Sequence, residues 1–234
     1  MKTHEEKDLI TGKIIKFIVT KGDMSKKRAT AMWRKEKGTI AWLRGLGPKD
    51  HLLDIGANVG VYTLFASVVM GAKVTALEPE SLNFARLNQN IRANWMSKRV
   101  TAYPCAAGES TRPGILRVGR MILGHSGHQA GEIRLPHRSD HRQGILVLAL
   151  DDLLLNISHI KIDVDGDEAM VVQGLDGTLG FPSMKEYLRE IQIEINTRNP
   201  LHRSVDKILG MYGFKKYEEE ITRTKDMQNW RWRR

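Results

Sequence analysis

Two groups of residues in this 234-residue chain have the types and spacing to do chemistry. The first is Leu53-Asp54-Ile55-Gly56-Ala57-Asn58-Val59-Gly60, an apolar run that ends in a glycine turn. Such a turn, between a buried strand and a helix, lets a ligand approach the backbone and aims the helix-terminal amides at a negative group. About twenty residues on stands Glu78, followed by Pro79, placed to accept hydrogen bonds from ribose hydroxyls. Together these features point to a nucleoside cofactor. A dinucleotide site requires G-x-G-x-x-G, whereas Asn58 stands where the second glycine would be and the third is missing. An acid two residues before the first glycine, Asp54, suits a cofactor with an ammonium group, as S-adenosylmethionine has.

The second group is Asp163, Asp165, Asp167 and Glu168, at the end of the apolar run from His159. Ligands of open parallel sheets bind outside the carboxyl ends of the strands, so Asp163 is expected to face the transferred group. Asp165 can cap the next helix, and Asp167 and Glu168 can favour its positive end. An EF-hand is excluded, because the sixth and twelfth loop positions hold Glu168 and Gly174 instead of glycine and glutamate. Glu194, inside Ile191-Gln192-Ile193-Glu194-Ile195, is the natural second carboxylate; a buried glutamate is costly, so it either pairs with Lys161 or faces the site. In Gly124-His125-Ser126-Gly127-His128, an imidazole can take a proton near neutral pH, with His128 the stronger candidate. Asp163, Glu194 and His128 are therefore the candidate bases. His137 and His141 lack the companions of a zinc helix.

These residues need a scaffold. Ile10, Ile14, Phe17 and Ile18 recur at helical spacing, and Ser25 starts a second helical stretch through Met32 and Trp33, so residues 1–47 read as a helical extension ahead of a domain at 48–234. From His51, short apolar strands alternate with helices: strands at Leu52 to Ile55, Lys73 to Leu77 and Val100 to Tyr103, helices from Val59 to Met70 and from Ser81. After a less regular region from Gly108 to Gly144, strands recur at His159 to Val164 and Glu190 to Ile195, with helices from about Asp167 and near Val205 to Met211. Two last strands lie around Phe214 to Tyr217 and Asn229 to Trp232. Repeated units of this size imply an α/β fold, a parallel sheet with helices on both faces. Cys105 follows the third strand, where an adenine ring rests, so Cys105, Ala106 and Ala107 read as pocket wall.

The run from Asp54 to Thr63, including Tyr62, resembles the FkbM family of S-adenosylmethionine-dependent methyltransferases. So do Glu78-Pro79-Glu80 with Asn83-Phe84-Ala85, Leu150-Asp151-Asp152-Leu153, the stretch from Ile160 to Glu168, and Ile193-Glu194-Ile195. Trp33, Glu36, Thr39 and Trp42 are similar to the family's lead-in, so the likeness spans about residues 33 to 234. It implies a class I methyltransferase fold, Rossmann-like and doubly wound, with a mostly parallel seven-stranded sheet. It also implies transfer of a methyl group to oxygen, often of a sugar. Asp54, Gly56, Ala57, Asn58, Gly60, Tyr62, Thr63, Glu78, Pro79 and Cys105 to Ala107 are then the cofactor residues. The resemblance places Ser126 and its neighbours over the acceptor pocket, where His125, Lys161 and Asp165 are further acceptor candidates.

Composition limits the partners. Of the net charge of +10, residues 1–50 hold 13 basic against 6 acidic side chains and residues 215–234 hold 7 against 4, while the middle is neutral. Basic ends on a neutral body suggest local contacts with an anionic partner or simply solvated surfaces. One cysteine precludes an intrachain disulfide and a cysteine-rich zinc site. No apolar stretch reaches the ~18 residues of a membrane span, and the acidic start is unlike a signal peptide, so a cytoplasmic placement is expected. The combined expectation is an O-methyltransferase acting on a hydroxyl of a sugar or glycoconjugate, with any role of a divalent metal left open. The alternatives are an RNA methyltransferase gripping phosphates with its basic ends, and a non-catalytic nucleotide-binding module that needs Glu78 but not Asp163.

Overall fold

The chain begins with a hairpin of β1 (Thr3–Lys7) and β2 (Ile14–Ile18), followed by α1 (Ser25–Lys35) and α2 (Lys37–Leu43). Then come β3 (His51–Ile55), α3 (Val61–Leu64), a π-helical turn at Phe65–Val69, β4 (Lys73–Leu77), α4 (Ser81–Ala93) and β5 (Val100–Tyr103). Next are β6 (Cys105–Gly108), β7 (Arg112–Arg117), β8 (Gln129–Ala130), β9 (Arg142–Ala149) and β10 (His159–Ile162). The last elements are α5 (Glu168–Gln173), α6 (Asp176–Gly180), α7 (Pro182–Tyr187), β11 (Glu190–Asn196), α8 (Arg203–Met211), β12 (Lys215–Thr224) and β13 (Met227–Arg233). The computed structural model describes residues 2–119, 122–125, 129–130, 141–153 and 156–234.

Seven strands form the central sheet in the order β12-β13-β11-β10-β3-β4-β5. β11, β10, β3, β4 and β5 run parallel, and β13 lies antiparallel between β11 and β12. Successive residues of a strand face opposite sides, so each strand feeds two cores. Leu53, Ile55, Ile160, Ile162, Ile191 and Ile193 pack with α5 and α8 on one side. Leu52, Val74 and Ala76 pack with Phe65, Met32 and Phe17 on the other. The class I arrangement is therefore present, and β3, β4 and β10 end together at one edge.

The amphipathic helix expected over Ile10 to Ile18 is instead the β1–β2 hairpin. Two local features decide this. The Asp8 carboxylate accepts from Thr11 N (2.9 Å) and Thr11 Oγ1 (2.7 Å), and Gly12 takes a positive φ of 73°, so the chain reverses here. Past the turn, Ile15 and Phe17 are buried while Lys16 is exposed, the alternation of a strand. The free edge of β2 is satisfied by side chains of α4: Ile18 N donates to Asn90 Oδ1 at 2.7 Å and Lys16 N to Asn94 Oδ1 at 2.8 Å. The region from Gly108 to Gly144, expected to be irregular, contributes to a second sheet of order β6-β9-β7-β8.

A buried polar ladder lies under α2. Trp42 Nε1 donates to Glu190 at 2.6 Å, Gln192 and Asn229 both donate to Thr39 Oγ1, and Arg231 donates to Gln192 (2.7 Å) and Glu220 (2.8 Å). Arg231 is 1% exposed, so it is a strut between strands and no part of a solvated basic tail.

Candidate active site

The site grows from the turn after β3. Gly56 has a φ of 80°, and a Cβ there would collide with the carbonyl oxygen of Asp163, so only glycine lets β3 and β10 approach this closely. The Gly56 and Ala57 amides both donate to Leu77 O at 3.0 Å, tying the turn to the end of β4. Asn58 adopts a φ of 52°, which asparagine tolerates better than most residues. Its amide donates to Glu78 Oε2 at 2.7 Å, and its side-chain nitrogen donates to His125 O at 2.8 Å. Asn83 of α4 grips the same loop, accepting from Gly124 N at 2.7 Å.

Glu78 is the buried carboxylate of this edge. Its Oε1 accepts from Glu80 N at 2.9 Å, so each oxygen receives one backbone donor and keeps accepting capacity. Burial, with a contribution from the Glu80 charge, outweighs those donors and pushes the Glu78 pKa up to about 7. Cys105, Ala106 and Ala107 of β6 continue the surface as an apolar wall, and burial pushes the Cys105 thiol up to about 11, so it stays protonated.

At the end of β10 the charges converge. Lys161, 2% exposed, places Nζ 3.0 Å from Asp163 Oδ2, 3.9 Å from Asp54 Oδ1 and 4.9 Å from the centre of the Tyr62 ring. Burial disfavours the ammonium, but Asp163 and then Asp54 and Glu36 overrule it, so its pKa lies above the ordinary lysine value. Burial raises the Asp54 pKa against Lys161 and Thr63, whose hydroxyl donates to Asp54 at 2.6 Å. Burial and Glu36 hold the Tyr62 phenol well above its usual range, hence protonated. Beyond Asp163 the loop turns through Asp165 (φ 59°) and Gly166 (φ 126°). Glu168 accepts from Val164 N and Gly166 N, both at 3.2 Å, and lies 3.1 Å from His202 Nε2. Burial and the Glu168 charge raise Asp167 to about 6.

These groups border one cavity of about 320 Å³. Of the residues expected from sequence, Gly56, Ala57, Asn58, Tyr62, Glu78, Pro79, Cys105, Ala106, Ala107, His125, Lys161, Asp163 and Asp165 line it. Asp54, Thr63, Gly60 and Glu194 do not. Asp54 is fully buried and acts through Lys161, Thr63 holds Asp54, and Gly60 starts α3 with a φ of 88°. Glu194 is buried on β11 beside Asn229, and Lys161, one of the two expectations for it, has Asp163 and Asp54 within 4 Å. Ser126 and His128 lie outside the described residues. Sequence reasoning missed the roof. Lys27, Arg28, Ala31 and Lys35 line the cavity from α1, Met24 and Glu36 from its two caps, and Thr222 from β12. The positions 27, 31 and 35, four apart in a basic segment, carried the signal. Among the described residues, no group of three or more His, Cys, Asp or Glu is placed to hold a metal ion.

The site fits S-adenosylmethionine. Glu78 has accepting capacity for two ribose hydroxyls, β6 offers an apolar wall for adenine, and the left-handed turn exposes backbone to the methionine part. Comparison with known proteins agrees. The Methyltransferase FkbM domain profile matches residues 54–216. The 31-O-demethyl-FK506 methyltransferase FkbM of Streptomyces tacrolimicus is 26% identical over 175 residues, which cover 62% of this chain and 66% of that relative. The crystal structure of magnesium protoporphyrin IX methyltransferase of Synechocystis PCC 6803, with bound S-adenosylmethionine, is 12% identical at a TM-score of 0.55, covering 93% of this chain and 86% of the other. With a cofactor edge built as the chemistry requires and the family profile spanning most of the sheet, the chain belongs to the FkbM family of S-adenosylmethionine-dependent methyltransferases.

Proposed function

We propose that this methyltransferase transfers its methyl group to a hydroxyl oxygen of a sugar or glycoconjugate. The observation that supports this reading best is Asp163: a carboxylate at the end of β10, 3.0 Å from a buried ammonium, lining the cavity beside the cofactor turn. When bound, S-adenosylmethionine supplies a methyl group on a sulfonium, which the acceptor oxygen displaces. Glu78 holds the ribose hydroxyls, Cys105 to Ala107 cover the adenine, and the turn from Gly56 to Asn58 meets the methionine part. Lys161, with Nζ 3.0 Å from Oδ2, fixes the Asp163 carboxylate in place to accept the hydroxyl proton as the oxygen loses it. Neutral hydroxyls are weak nucleophiles, and such a base is worth about 10² to 10⁴ in rate. The name of the Streptomyces relative, a methyltransferase acting at an oxygen, favours oxygen over nitrogen or carbon.

The test is methyl transfer from radiolabelled S-adenosylmethionine to a panel of sugars, sugar phosphates, lipid-linked sugars and RNA. Asp163→Asn is expected to lower turnover by about 10² or more, with the affinity for S-adenosylhomocysteine within about twofold of wild type. Retained turnover would make Asp163 structural.

A further inference from the structure

The end of the sheet opposite the cavity carries a surface that the fold alone does not explain. β3, β4 and β10 border the cavity at their carboxyl ends, whereas four segments meet at the amino ends of the strands: residues 7–16 of the hairpin, 47–50, 69–73, and 92–99 after α4. Their contacts are direct. Lys13 Nζ donates to Val69 O at 2.8 Å, Arg99 donates to Gly71 O at 2.7 Å, and Lys73 N donates to Asp50 O at 2.9 Å. Asn94 exchanges two hydrogen bonds with the backbone of Lys16, at 2.8 and 2.7 Å.

Two places on this end hold large apolar side chains where the backbone favours other residues. The hairpin turn from Asp8 to Gly12 has Leu9 and Ile10 at its tip, 90% and 75% exposed, where polar turn formers are the rule. Trp95 follows the C-cap of α4 with a φ of 59°, a position that glycine or asparagine ordinarily fills, and it is 87% exposed. None of the three packs in either core. Ile14, 45% exposed, stands on β2 between the tip and the Asn94 clasp. Apolar residues exposed singly are ordinary, but a group of them on one end marks an interaction surface.

The exposed charge around them has one sign. The hairpin exposes Lys7, Lys13 and Lys16, the loops before β3 and β4 expose Lys49 and Lys73, and the segment after α4 exposes Arg92, Lys98 and Arg99. Both acids of these segments are buried and paired inward, Asp8 with Arg44 and Asp50 with Arg189. Glu5, just outside them on β1, offsets Lys16 at 4.0 Å.

We infer that this end docks on an anionic bilayer surface, with Leu9, Ile10 and Trp95 entering the headgroup region and the surrounding lysines and arginines meeting lipid phosphates. Tryptophan and aliphatic side chains gain at a membrane interface, and each basic residue near an anionic surface strengthens partitioning about fivefold. A nucleic acid would match the cations but gain nothing from exposed aliphatic side chains, and it would call for several aromatic platforms. A second copy meeting this face about a two-fold axis would set the cations against themselves. Docking at the amino ends of the strands leaves the cavity, at their carboxyl ends, open to water.

The experiment is co-sedimentation of the full chain with vesicles of phosphatidylcholine, with and without about 30% phosphatidylglycerol, at low and at physiological salt. The proteins are wild type, Leu9→Ser/Ile10→Ser, Trp95→Asn, Lys7→Gln/Lys98→Gln, and Lys207→Gln/Lys215→Gln. The last pair of lysines is exposed on α8 and on β12 at the opposite edge of the sheet, which makes it the charge-matched control. Every substituted side chain is exposed, and an unchanged melting temperature certifies each fold. Wild type is expected to bind the anionic vesicles and not the neutral ones, with less bound as salt rises. The two apolar variants should each weaken binding about tenfold and Lys7→Gln/Lys98→Gln about twentyfold, with the control unchanged. Brominated lipid in the anionic vesicles should quench the tryptophan fluorescence of wild type but not of Trp95→Asn, since the other four tryptophans are buried or half-buried. Absence of binding to anionic vesicles, or equal binding by wild type and both apolar variants, overturns the proposal. Displacement from the vesicles by an oligouridylate of about 12 nucleotides that binds wild type and the apolar variants alike would assign the face to nucleic acid instead. No cofactor enters the assay, so its outcome is independent of the methyltransferase reading.

Discussion

In the proposed role of ribose acceptor, Glu78 ties cofactor binding to pH. In the free protein its pKa is pushed from 4.5 up to about 7, because burial costs the carboxylate more than two backbone donors return. Ribose hydroxyls donating to the ionised form would draw that value back down. The sign follows: below pH 7 the free site holds a proton that binding must expel, so affinity for S-adenosylhomocysteine should fall with acidification by up to about tenfold per pH unit, and level off above 7. Calorimetry in two buffers of different ionisation enthalpy should detect proton release at pH 6 and none at pH 8.5. Glu78→Gln should bind more weakly at pH 8 and lose the dependence; an affinity flat from pH 5.5 to 8 in wild type would remove Glu78 from the ribose. Residues of this kind were legible in the sequence because the turn leaves few substitutes: Gly56 has the positive φ its place requires, and Glu78, Ala106 and Ala107, proposed for ribose and adenine, do line the cavity. Asp54 and Glu194 were harder to place, since neither lines the cavity. A strand carboxylate can face the cavity or the buried layer beneath it, and residue type does not say which side of the wall it occupies.

At the scale of elements, the loop after β10 stands on the buried pair of Glu168 and His202. Burial opposes charge on His202, but Glu168, the Gly166 carbonyl and Asp167 outweigh it, so its pKa lies above the ordinary 6.5. Stability from the pair is therefore fully present below pH 6.5 and is lost as pH rises through the raised folded-state value. His202→Ala should cost about 3–5 kcal/mol at pH 6, as removing one member of a buried ion pair does, and less at pH 9. Urea denaturation at both values measures it, and a loss independent of pH would mean that the ring acts by packing alone. The strands and helices that hold the site were largely readable, since long apolar runs from Leu52 onward have an unambiguous period. β2 was not: over Ile14 to Ile18, five residues do not separate alternation from a helical face, and the decisive Asp8–Thr11 turn lies outside the run. β6 to β9 escaped for another reason. Pro104 and the glycines of that stretch read as loop, and its pairings join residues as distant as Cys105 and Leu146.

The whole molecule puts its two basic ends to different uses. At the C-terminus two arginines are struts: buried Arg231 joins β13 to Gln192 and Glu220, and half-buried Arg234 donates to the Met184 carbonyl at 2.9 Å. At the N-terminus, α1 roofs the cavity, and its support is α4. At one end of α4, Glu78 receives the amide of Glu80, and Glu80 caps the helix through Leu82 N and Asn83 N. Further along, Arg86 pairs with Asp23 at 2.8 Å just before α1, and Asn90 and Asn94 clasp β2. That single helix therefore sets a clock that isotope exchange can read. The amide protons of Lys16 and Ile18 escape to deuterium only when the asparagine clasp lets go. If letting go also loosens the helix that Glu80 caps, S-adenosylhomocysteine at 100 times its dissociation constant should slow their exchange by up to about a hundredfold. Unchanged rates would mean that the hairpin opens alone. A slowed clock would make two protons on the far edge of a hairpin the timekeepers of a nucleoside they never touch.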